Sequence, residues 1–305
     1  MKIKNNKSIL VIGATGDQGY TVALELLNHG FPVRAMITPK SINHLKANTL
    51  KLMGSELFVA DLDNEQQMQD ALKNMWGVFS VLPPSANRNK EDISRMKRLI
   101  RLSKKAGIKS IVHSSVNQVG NHLSFANWEA GKWSPAYWLE KNEVDQHLKN
   151  AGFEYWTILK PVFLMENFKR PKSIFMFPQL NGGLLLSSFK PLAPIQLTSS
   201  EDIGKFANAA FSNPARFTGL SIDLMSEELN IVEIGKQLSG ATSLPIVTTS
   251  LTAVEAIEQG ISEGVVSSQQ WNNDVGYNAD LATVKAFQIP LLNFREWCLI
   301  HALEI

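Results

Sequence analysis

The chain has little of what marks several protein classes. Its 305 residues include one cysteine, Cys298, so no intramolecular disulfide framework can form, as is typical of a reducing compartment. Its 30 Lys and Arg against 28 Asp and Glu leave a net charge of +2, which gives no general reason to expect nucleic-acid binding. No apolar run approaches the roughly 20 residues of a membrane span, and residues 1–7 do not resemble a signal peptide. We therefore expect a soluble, cytoplasmic protein with no nucleic-acid or membrane partner.

A strand, a glycine-rich turn and a helix follow one another near the start of the chain. Residues 8–12 form the apolar, β-branched run of a buried parallel strand. Gly13, Gly16 and Gly19 come next at G-x-x-G-x-x-G spacing, and a helical pattern opens at once, clearest over residues 21–29. Such a corner turns backbone N–H groups and the positive end of a helix dipole outward, where they bind a diphosphate. An ordinary glycine-containing turn is the alternative.

Apolar strand patterns alternate with helical patterns as far as Lys160. The strands are predicted at residues 8–12, 31–38, 57–60, 78–82, 108–113 and 155–159. Helical segments between them imply parallel βαβ units, and hence an α/β fold with a doubly wound, Rossmann-type parallel sheet. We predict a dinucleotide-binding domain at residues 1–160 and a smaller α/β substrate or partner lobe at residues 161–305. Segments near residues 195–225 are expected to return to the first domain.

The end of the second strand bears on which dinucleotide is preferred. In this fold an acidic side chain there holds a ribose 2′-hydroxyl and repels a 2′-phosphate. The stretch carries Thr38 and Lys40 but no carboxylate, which favours NADP(H) over NAD(H). Lys40 as a solvated residue at a helix start is the alternative. Asp61, after the third strand, is a candidate adenine contact or a helix cap.

Tyr137 and Lys141 are the candidate catalytic pair. They stand four residues apart in a predicted helix at residues 135–149, so they share a face. A nearby ammonium lowers the pKa of a phenol, which suits Tyr137 to proton transfer in carbonyl–alcohol interconversion. Ser114 and Ser115, which close the fifth strand, can hold the substrate oxygen. The spacing also arises by chance, so the position of the pair after the fifth strand is the stronger evidence.

Other clusters have simpler interpretations. Glu140 and Glu143 are interpreted as a solvated helix face, and the basic stretch at residues 88–109 as a crossover helix with an apolar stripe. The histidines and carboxylates show no metal-ligand spacing, so no metal is expected. Trp156 is assigned to the core. Three other tryptophans either join the core or wall an apolar substrate cavity, namely Trp128, Trp133 and Trp138.

Four segments together resemble the NmrA-like family, an atypical branch of the short-chain dehydrogenase/reductases. Residues 13–19 are similar to its G-A-T-G-x-x-G motif, and residues 141–153 to its lysine helix. Residues 157–168 resemble its strand and turn ending in P-x-x-x-x-E-N-F, and residues 200–204 its D-I-G segment. The resemblance covers nearly the whole length of the chain.

The resemblance implies an NADP-preferring Rossmann domain and a small C-terminal lobe. By matching positions, the diphosphate would be held by Gly13, Ala14, Thr15, Gly16, Asp17, Gln18 and Gly19. Thr38 and Lys40 would meet the 2′-phosphate, and Lys141 the nicotinamide ribose. Further cofactor contacts are assigned to Leu82, Pro83, Pro161, Val162 and Phe163.

Members of this family include enzymes and regulators. Some reduce quinones or other small apolar substrates, whereas others sense the NADP(H) state and bind regulators. Many sensors lack a tyrosine four residues before the lysine, so Tyr137 favours an oxidoreductase acting on a small apolar carbonyl or quinone-like substrate. A non-enzymatic NADP(H)-sensing regulator that acts through a protein partner is the alternative. A nucleotide-sugar enzyme of the extended branch is the weaker third interpretation.

Overall fold

The structure, a computed structural model, describes residues 6–82, 91–242 and 244–305. Within these ranges the chain forms two compact units. The N-terminal unit is drawn from positions up to Gly120, from Ala136–Lys160 and from Ile203–Ile222. The C-terminal unit is drawn from Asn121–Pro135, Pro161–Asp202 and Asp223–Ile305. Residues 121–135 therefore group with the C-terminal unit, and residues 203–222 with the N-terminal one.

The strands and α-helices are numbered here in chain order. The strands are β1 (Ile9–Val11), β2 (Val33–Ile37), β3 (Glu56–Val59), β4 (Gly77–Val81), β5 (Ser110–Ser114), β6 (Tyr155–Pro161), β7 (Phe163–Leu164), β8 (Leu184–Ser187), β9 (Ile195–Thr198), β10 (Leu220–Leu224), β11 (Glu227–Leu229) and β12 (Val247–Ser250). The helices are α1 (Asp17–Asn28), α2 (Leu45–Leu52), α3 (Glu65–Leu72), α4 (Glu91–Lys105), α5 (Pro135–Lys149), α6 (Ser173–Met176), α7 (Ser200–Ser212), α8 (Pro214–Phe217), α9 (Ile231–Thr242), α10 (Ala253–Glu258), α11 (Glu263–Asp274), α12 (Leu281–Lys285) and α13 (Phe294–His301).

A seven-stranded sheet forms the centre of the N-terminal unit. Its strand order is β10-β6-β5-β4-β1-β2-β3, and β1 runs parallel to both β2 and β4. The chain builds outward from β1 to β3 on one side, and from β4 to β6 on the other. The predicted doubly wound parallel sheet is therefore confirmed. The strand order reverses beside β1, and in such sheets ligands bind at the carboxyl ends of the strands at this point.

Helices cover both faces of this sheet because each presents an apolar stripe to it. On one face, α3, α4 and α5 bury their stripes against the strands, with Met96 and Leu99 of α4 and Leu148 of α5 in one core cluster. The predicted crossover helix in the basic stretch is thus confirmed as α4. On the other face, Phe211 of α7 lies edge-on to Trp76 just before β4, with ring centroids 6.5 Å apart.

The C-terminal unit has two small sheets and an aromatic core. One sheet has the order β11-β9-β7 and the other pairs β12 with β8. In the core, Phe168 stacks on Phe177 with ring centroids 4.8 Å apart, and Phe294 stacks on Trp297 at 5.7 Å. Cys298 is buried in this cluster, and burial raises the pKa of its thiol to about 12. No helix in the described ranges has the length and apolar character needed to span a membrane.

Candidate functional site

The glycine corner between β1 and α1 is closed so tightly that no side chain fits at Gly19. Gly13 has a φ of +70°, a left-handed conformation that favours glycine. A Cβ at Gly19 would lie 2.2 Å from the carbonyl oxygen of Gly13, so only glycine lets α1 start this close to β1. The amide of Gly16 donates to that same carbonyl at 2.9 Å. The helix begins at Asp17, four residues before the stretch where its pattern is clearest.

The corner exposes backbone at the start of a 12-residue helix. The N-cap is Gly16, which has no side chain with which to cap the first turn. The first amides of any α-helix lack acceptors within the helix, and they carry the positive end of its dipole. Gly13 and Gly16 are exposed, Thr15 and Gln18 are half-buried, and Ala14 is buried. The predicted diphosphate-binding residues thus form a bare, electropositive turn at the switch point of the sheet.

Asp17 in this turn already has a basic partner. Its carboxylate accepts a hydrogen bond from Lys46 Nζ at 2.9 Å, and both side chains are largely buried. The same ammonium lies 5.2 Å from the centre of the Tyr20 ring. The sequence analysis did not find this contact, because Lys46 is 29 residues further along the chain on α2.

The region after β2 carries an exposed cation. The expected helix starts instead as a 3-10 turn at Pro39–Ser41, with Thr38 as its N-cap residue. The Thr38 hydroxyl lies 3.1 Å from Ser41 Oγ, and Thr38 and Lys40 are both exposed. Arg34, earlier in β2, donates to Glu56 at 2.9 Å and to the Ala71 carbonyl at 2.8 Å, so its charge is used away from this turn.

The remaining candidates, which follow β3 and β4, occupy different surroundings. Asp61 follows β3, is exposed, and accepts the amide of Asp63 at 2.9 Å. The N-cap of α3 is Asn64, so the helix-cap interpretation of Asp61 is wrong. Leu82 follows β4 and is buried, whereas Pro83 lies outside the described residues.

Polar groups are buried where β5 ends. Ser114, the last residue of β5, pairs with Val81 of β4 and Leu159 of β6. Oγ of Ser114 and Oγ of Ser115 are both buried and have no hydrogen-bond partner in the described part of the chain. Two hydroxyls whose hydrogen-bonding capacity is unused by the described residues are therefore buried at the end of β5.

His113 in β5 is a neutral member of the same region. Its Nδ1 lies 2.7 Å from Ser80 Oγ on β4. Burial lowers the pKa of the imidazole to about 3, and the nearby charge of Lys141 adds to this effect. Because the ring is neutral at physiological pH, it acts as a hydrogen-bonding group rather than as a cation.

Lys141 is held by an acidic partner that the sequence analysis did not identify. Its Nζ donates to Asp92 Oδ2 on α4 at 2.9 Å, and both side chains are largely buried. The Asp92 amide donates to Glu140 Oε1 at 3.1 Å, and Glu140 is itself buried. The prediction that Glu140 belongs to a solvated face is wrong, whereas Glu143 is exposed. Tyr137 is half-buried one turn before Lys141 on α5.

Asp145 is a second buried carboxyl on α5, one turn after Lys141. Only 1% of the residue is exposed, and neither carboxyl oxygen finds a hydrogen-bond partner among the described residues. Burial raises the pKa of Asp145 to about 6, opposed by the Ser115 hydroxyl and by the charges of Lys160, Lys149 and Lys141. The sequence analysis assigned it no role. Its position beside buried Val144, on the face that carries Leu148, is the pattern that could have identified it.

The predicted cofactor contacts at residues 161–163 are used mainly in packing. Pro161 ends β6, and the next two residues, Val162 and Phe163, are 3% and 7% exposed. The Phe163 ring packs edge-on against Phe189 in the C-terminal unit, with centroids 5.9 Å apart.

The tryptophans divide between core and partial exposure. Trp133 and Trp138 are buried, which favours the core interpretation for both. Trp128 is half-buried and packs on His122, with ring centroids 4.9 Å apart.

Nowhere in residues 6–82, 91–242 and 244–305 do three or more His, Cys, Asp or Glu side chains form a group able to hold a metal ion.

Comparison with known proteins identifies relatives over nearly the whole chain. A sequence model of the NmrA-like family matches residues 5–297. The NmrA-like family domain-containing oxidoreductase himF of Aspergillus japonicus is 29% identical over 240 residues, covering 74% of this chain and 70% of the relative. The word oxidoreductase describes that relative, and the similarity assigns no substrate to this chain.

Two solved structures share the fold. The NADPH-dependent quinone oxidoreductase QOR2 of Escherichia coli, complexed with NADPH, is 18% identical with a TM-score of 0.73, covering 97% of this chain and 99% of its own. NmrA, a negative transcriptional regulator in complex with NADP, is 20% identical with a TM-score of 0.73, covering 96% and 94%. An enzyme and a regulator are thus equally similar in backbone.

Proposed function

Because the chain belongs to the NmrA-like family, we propose that it is an oxidoreductase that uses NADP(H) to reduce a small apolar carbonyl or quinone-like substrate. The observation that carries the proposal is the bare glycine corner at the switch point of the sheet. Polar side chains suited to proton transfer lie at the end of β5 and on α5. Such a site needs backbone N–H groups for the diphosphate and polar side chains for proton transfer. The N-terminal unit contains both.

The residues present fit a nicotinamide dinucleotide. A Cβ at Gly19 would collide with the corner, and the exposed backbone of Gly13 and Gly16 leaves room for phosphate oxygens. In the proposal, residues 13–19 hold the diphosphate. The other contacts come from Thr38, Lys40, Asp61, Leu82, Pro83, Lys141, Pro161, Val162 and Phe163. When bound there, the dinucleotide supplies the hydride.

The preference for NADP(H) rests on the turn after β2. Thr38 offers a hydroxyl and Lys40 a positive charge, and both are exposed. A phosphate accepts hydrogen bonds from such groups, and the lysine adds a charge of opposite sign. The stretch has no carboxylate to hold a free 2′-hydroxyl, which supports the same preference.

Three side chains share the proton chemistry in this proposal. Tyr137 donates a proton to the substrate oxygen as the carbonyl is reduced. The Lys141 ammonium, one turn away, stabilises the phenolate that remains. The buried hydroxyls of Ser114 and Ser115 hold the same oxygen and fix the orientation of the substrate. Asp92 holds Lys141 through the 2.9 Å ion pair and so limits where its ammonium can reach.

That ion pair also favours the second candidate function, a regulator that senses NADP(H) and acts through a protein partner. If Asp92 keeps the Lys141 ammonium away from Tyr137, no cation lies beside the phenolate to stabilise it. The chain would then bind the dinucleotide without turnover. Binding of a partner would depend on whether the dinucleotide is present, because the two binding free energies are coupled.

The test is the variant Tyr137→Phe in an assay that follows the absorbance of reduced nicotinamide with a panel of quinones and apolar carbonyls. Loss of a general acid should lower turnover by about 10²–10⁴-fold, while the Kd for NADPH changes little. Tyr155→Phe is the matched control, because Tyr155 lies at the start of β6. The proposed site lies at the carboxyl ends of the strands, which is the opposite edge of the sheet. Turnover unchanged in Tyr137→Phe would remove Tyr137 from the mechanism. NADPH binding by the wild-type chain without turnover of any compound would favour the regulator.

A further inference from the structure

We propose that Arg95 is a positioning residue for Lys141, and that its guanidinium neutralises the buried Asp92 carboxylate when the Lys141 ammonium turns from Asp92 to a bound dinucleotide. The inference rests on the proposed function for the ligand that draws Lys141 away. It extends that function by adding a residue that acts on Lys141 only through Asp92.

The carboxylate of Asp92 lies between two cations. Asp92 is in the first turn of α4 and is 2% exposed. Its Oδ2 accepts a hydrogen bond from Lys141 Nζ at 2.9 Å. Its Oδ1 is buried without a hydrogen-bond partner in the described part of the chain, and it lies 3.7 Å from Arg95 Nη1. The two oxygens therefore face different cations, one within hydrogen-bond distance and one just beyond it.

Moving Lys141 away from Asp92 would be costly if no other cation replaced it. A buried carboxylate is strongly destabilising when its partner is removed. A second acidic side chain adds to the cost, because the Asp92 amide donates to Glu140 Oε1 at 3.1 Å and Glu140 is itself 8% exposed. Without a replacement cation, the ammonium would stay on Asp92 and be withheld from a ligand.

Arg95 is placed to supply that replacement. It stands three residues after Asp92 on α4, so the two side chains share a face of the helix. Its Nε and Nη2 donate to Asp63 at 3.2 Å and 2.7 Å, and neither of these bonds uses Nη1. Closing the gap between Nη1 and Asp92 Oδ1 from 3.7 Å to an ordinary hydrogen bond takes a movement of about 1 Å.

Lys141 and Arg95 then share one carboxylate in two states. Without a dinucleotide, Lys141 donates to Asp92 and Arg95 Nη1 stays at 3.7 Å. With a dinucleotide bound, Lys141 donates to the ligand and Arg95 donates to Asp92. The buried carboxylate has one close cation in both states, and no covalent bond changes.

A double-mutant cycle tests this sharing with no dinucleotide present. Arg95→Gln and Lys141→Met are compared singly and together by urea denaturation at neutral pH. Each single variant leaves Asp92 one cation, whereas the double variant leaves it none. The unfolding midpoint of the double variant should therefore fall by more than the sum of the two single falls. Additive falls would overturn the proposal.

Arg98→Gln is the matched control for Arg95→Gln. Arg98 lies on the same helix and binds the same exposed carboxylate, with its Nη1 3.1 Å from Asp63 Oδ1. Because its charge is paired with Asp63, we expect Arg98→Gln and Lys141→Met to lower the midpoint additively. Coupling of equal size in both cycles would assign the effect to Asp63 instead of Asp92 and would contradict the proposal.

Calorimetric titration with NADPH connects the sharing to the ligand. Arg95→Gln should raise the Kd about fivefold or more, because Lys141 is then held on Asp92, and Arg98→Gln should leave the Kd unchanged. In the Asp92→Asn background no carboxylate charge needs a partner, so Arg95→Gln should not weaken binding further. Equal Kd values for the wild-type chain and Arg95→Gln would overturn the proposal. If the wild-type chain binds no NADPH, the proposed function fails, while the urea cycle still decides whether Arg95 and Lys141 share Asp92.

Discussion

The glycine corner after β1 and the polar cluster at the end of β5 belong to one sheet, with β4 between the two strands, and they are built in opposite ways. The corner, residues 13–19, is made of backbone whose geometry leaves no room for a Cβ at Gly19. The cluster, formed by Ser114, Ser115, Lys141 and Asp145, is made of side chains, several of which are buried without hydrogen-bond partners in the described part of the chain. The corner is therefore defined by close backbone packing, and the cluster by buried polar side chains.

This difference separates a part of the protein that favours folding from a part that is suited to acting on a ligand. Close packing at the corner favours the fold, because a Cβ at Gly19 would have to displace backbone. The unpartnered groups of the cluster oppose folding, since each buried polar atom without a hydrogen bond costs free energy. Groups that are costly in the folded protein and lie at the carboxyl edge of a doubly wound sheet are typical of a site that acts on a ligand.

The largest effect is expected from a substitution that disrupts the glycine corner. In Gly19→Ala the new Cβ would lie 2.2 Å from the Gly13 carbonyl oxygen, so α1 must move away from β1. We expect the free energy of unfolding to fall by about 3 kcal/mol or more, measured by urea denaturation.

The control for that variant is Gly264→Ala on α11, where an added Cβ meets nothing within 4 Å. Alanine is the better helix former, so this change should leave stability equal or slightly higher. Equal stability of Gly19→Ala and the wild-type chain would show that the corner is not closely packed.

The second prediction concerns the cluster and the pH dependence of stability that Asp145 causes. The pKa of Asp145 is raised from 3.8 to about 6, so the folded state binds a proton more tightly than the unfolded state. Stability should therefore fall as the pH rises from about 4 to about 6, by about 3 kcal/mol for a shift of this size. Asp145→Asn should lack this component, so its advantage over the wild-type chain should grow across the same range. Parallel stability curves for the two proteins would contradict the burial of an unpaired carboxyl.

The smallest effect concerns the exposed turn after β2. Lys40 is solvent-exposed, and an exposed charge contributes modestly to binding. We expect Lys40→Ala to raise the Kd for NADPH about fivefold and to leave the Kd for NADH unchanged, as measured by calorimetric titration. Lys51→Ala, on the exposed face of α2, is the control. An equal loss for both dinucleotides would remove Lys40 from the choice between them.

Much of the N-terminal unit could be predicted because its determinants are local. The apolar runs before Gly13 and before Pro83 stand directly in the sequence, and the glycine spacing marks the corner without knowledge of any distant residue. The helix at residues 135–149 was predicted with the bounds that the structure has. Patterns of this kind depend on neighbours a few residues apart, which is the range over which strand and helix periodicity acts.

The cluster could be predicted only in part, because its properties come from contacts between distant segments. Glu140 and Asp145 are acidic residues of the same helix as exposed Glu143, yet tertiary packing buries them. The partner of Lys141 is Asp92, 49 residues away, and no local pattern marks that pair. In the C-terminal unit, β8 and β12 are four-residue strands, too short for their periodicity to be distinguished from that of a loop.

The central claim is that bare backbone at the corner holds a nicotinamide dinucleotide, and calorimetric titration of Gly16→Ala tests it most directly. Gly16 is exposed, and an added Cβ would lie 3.3 Å from the Gly13 carbonyl oxygen. The corner then has to give by only a few tenths of an ångström, whereas the methyl group would stand where phosphate oxygens approach the backbone. We expect the wild-type chain to bind NADPH and the variant to bind it at least about tenfold more weakly, with unfolding curves that agree. Binding of NADPH with equal affinity by both proteins, or by neither, would contradict the account.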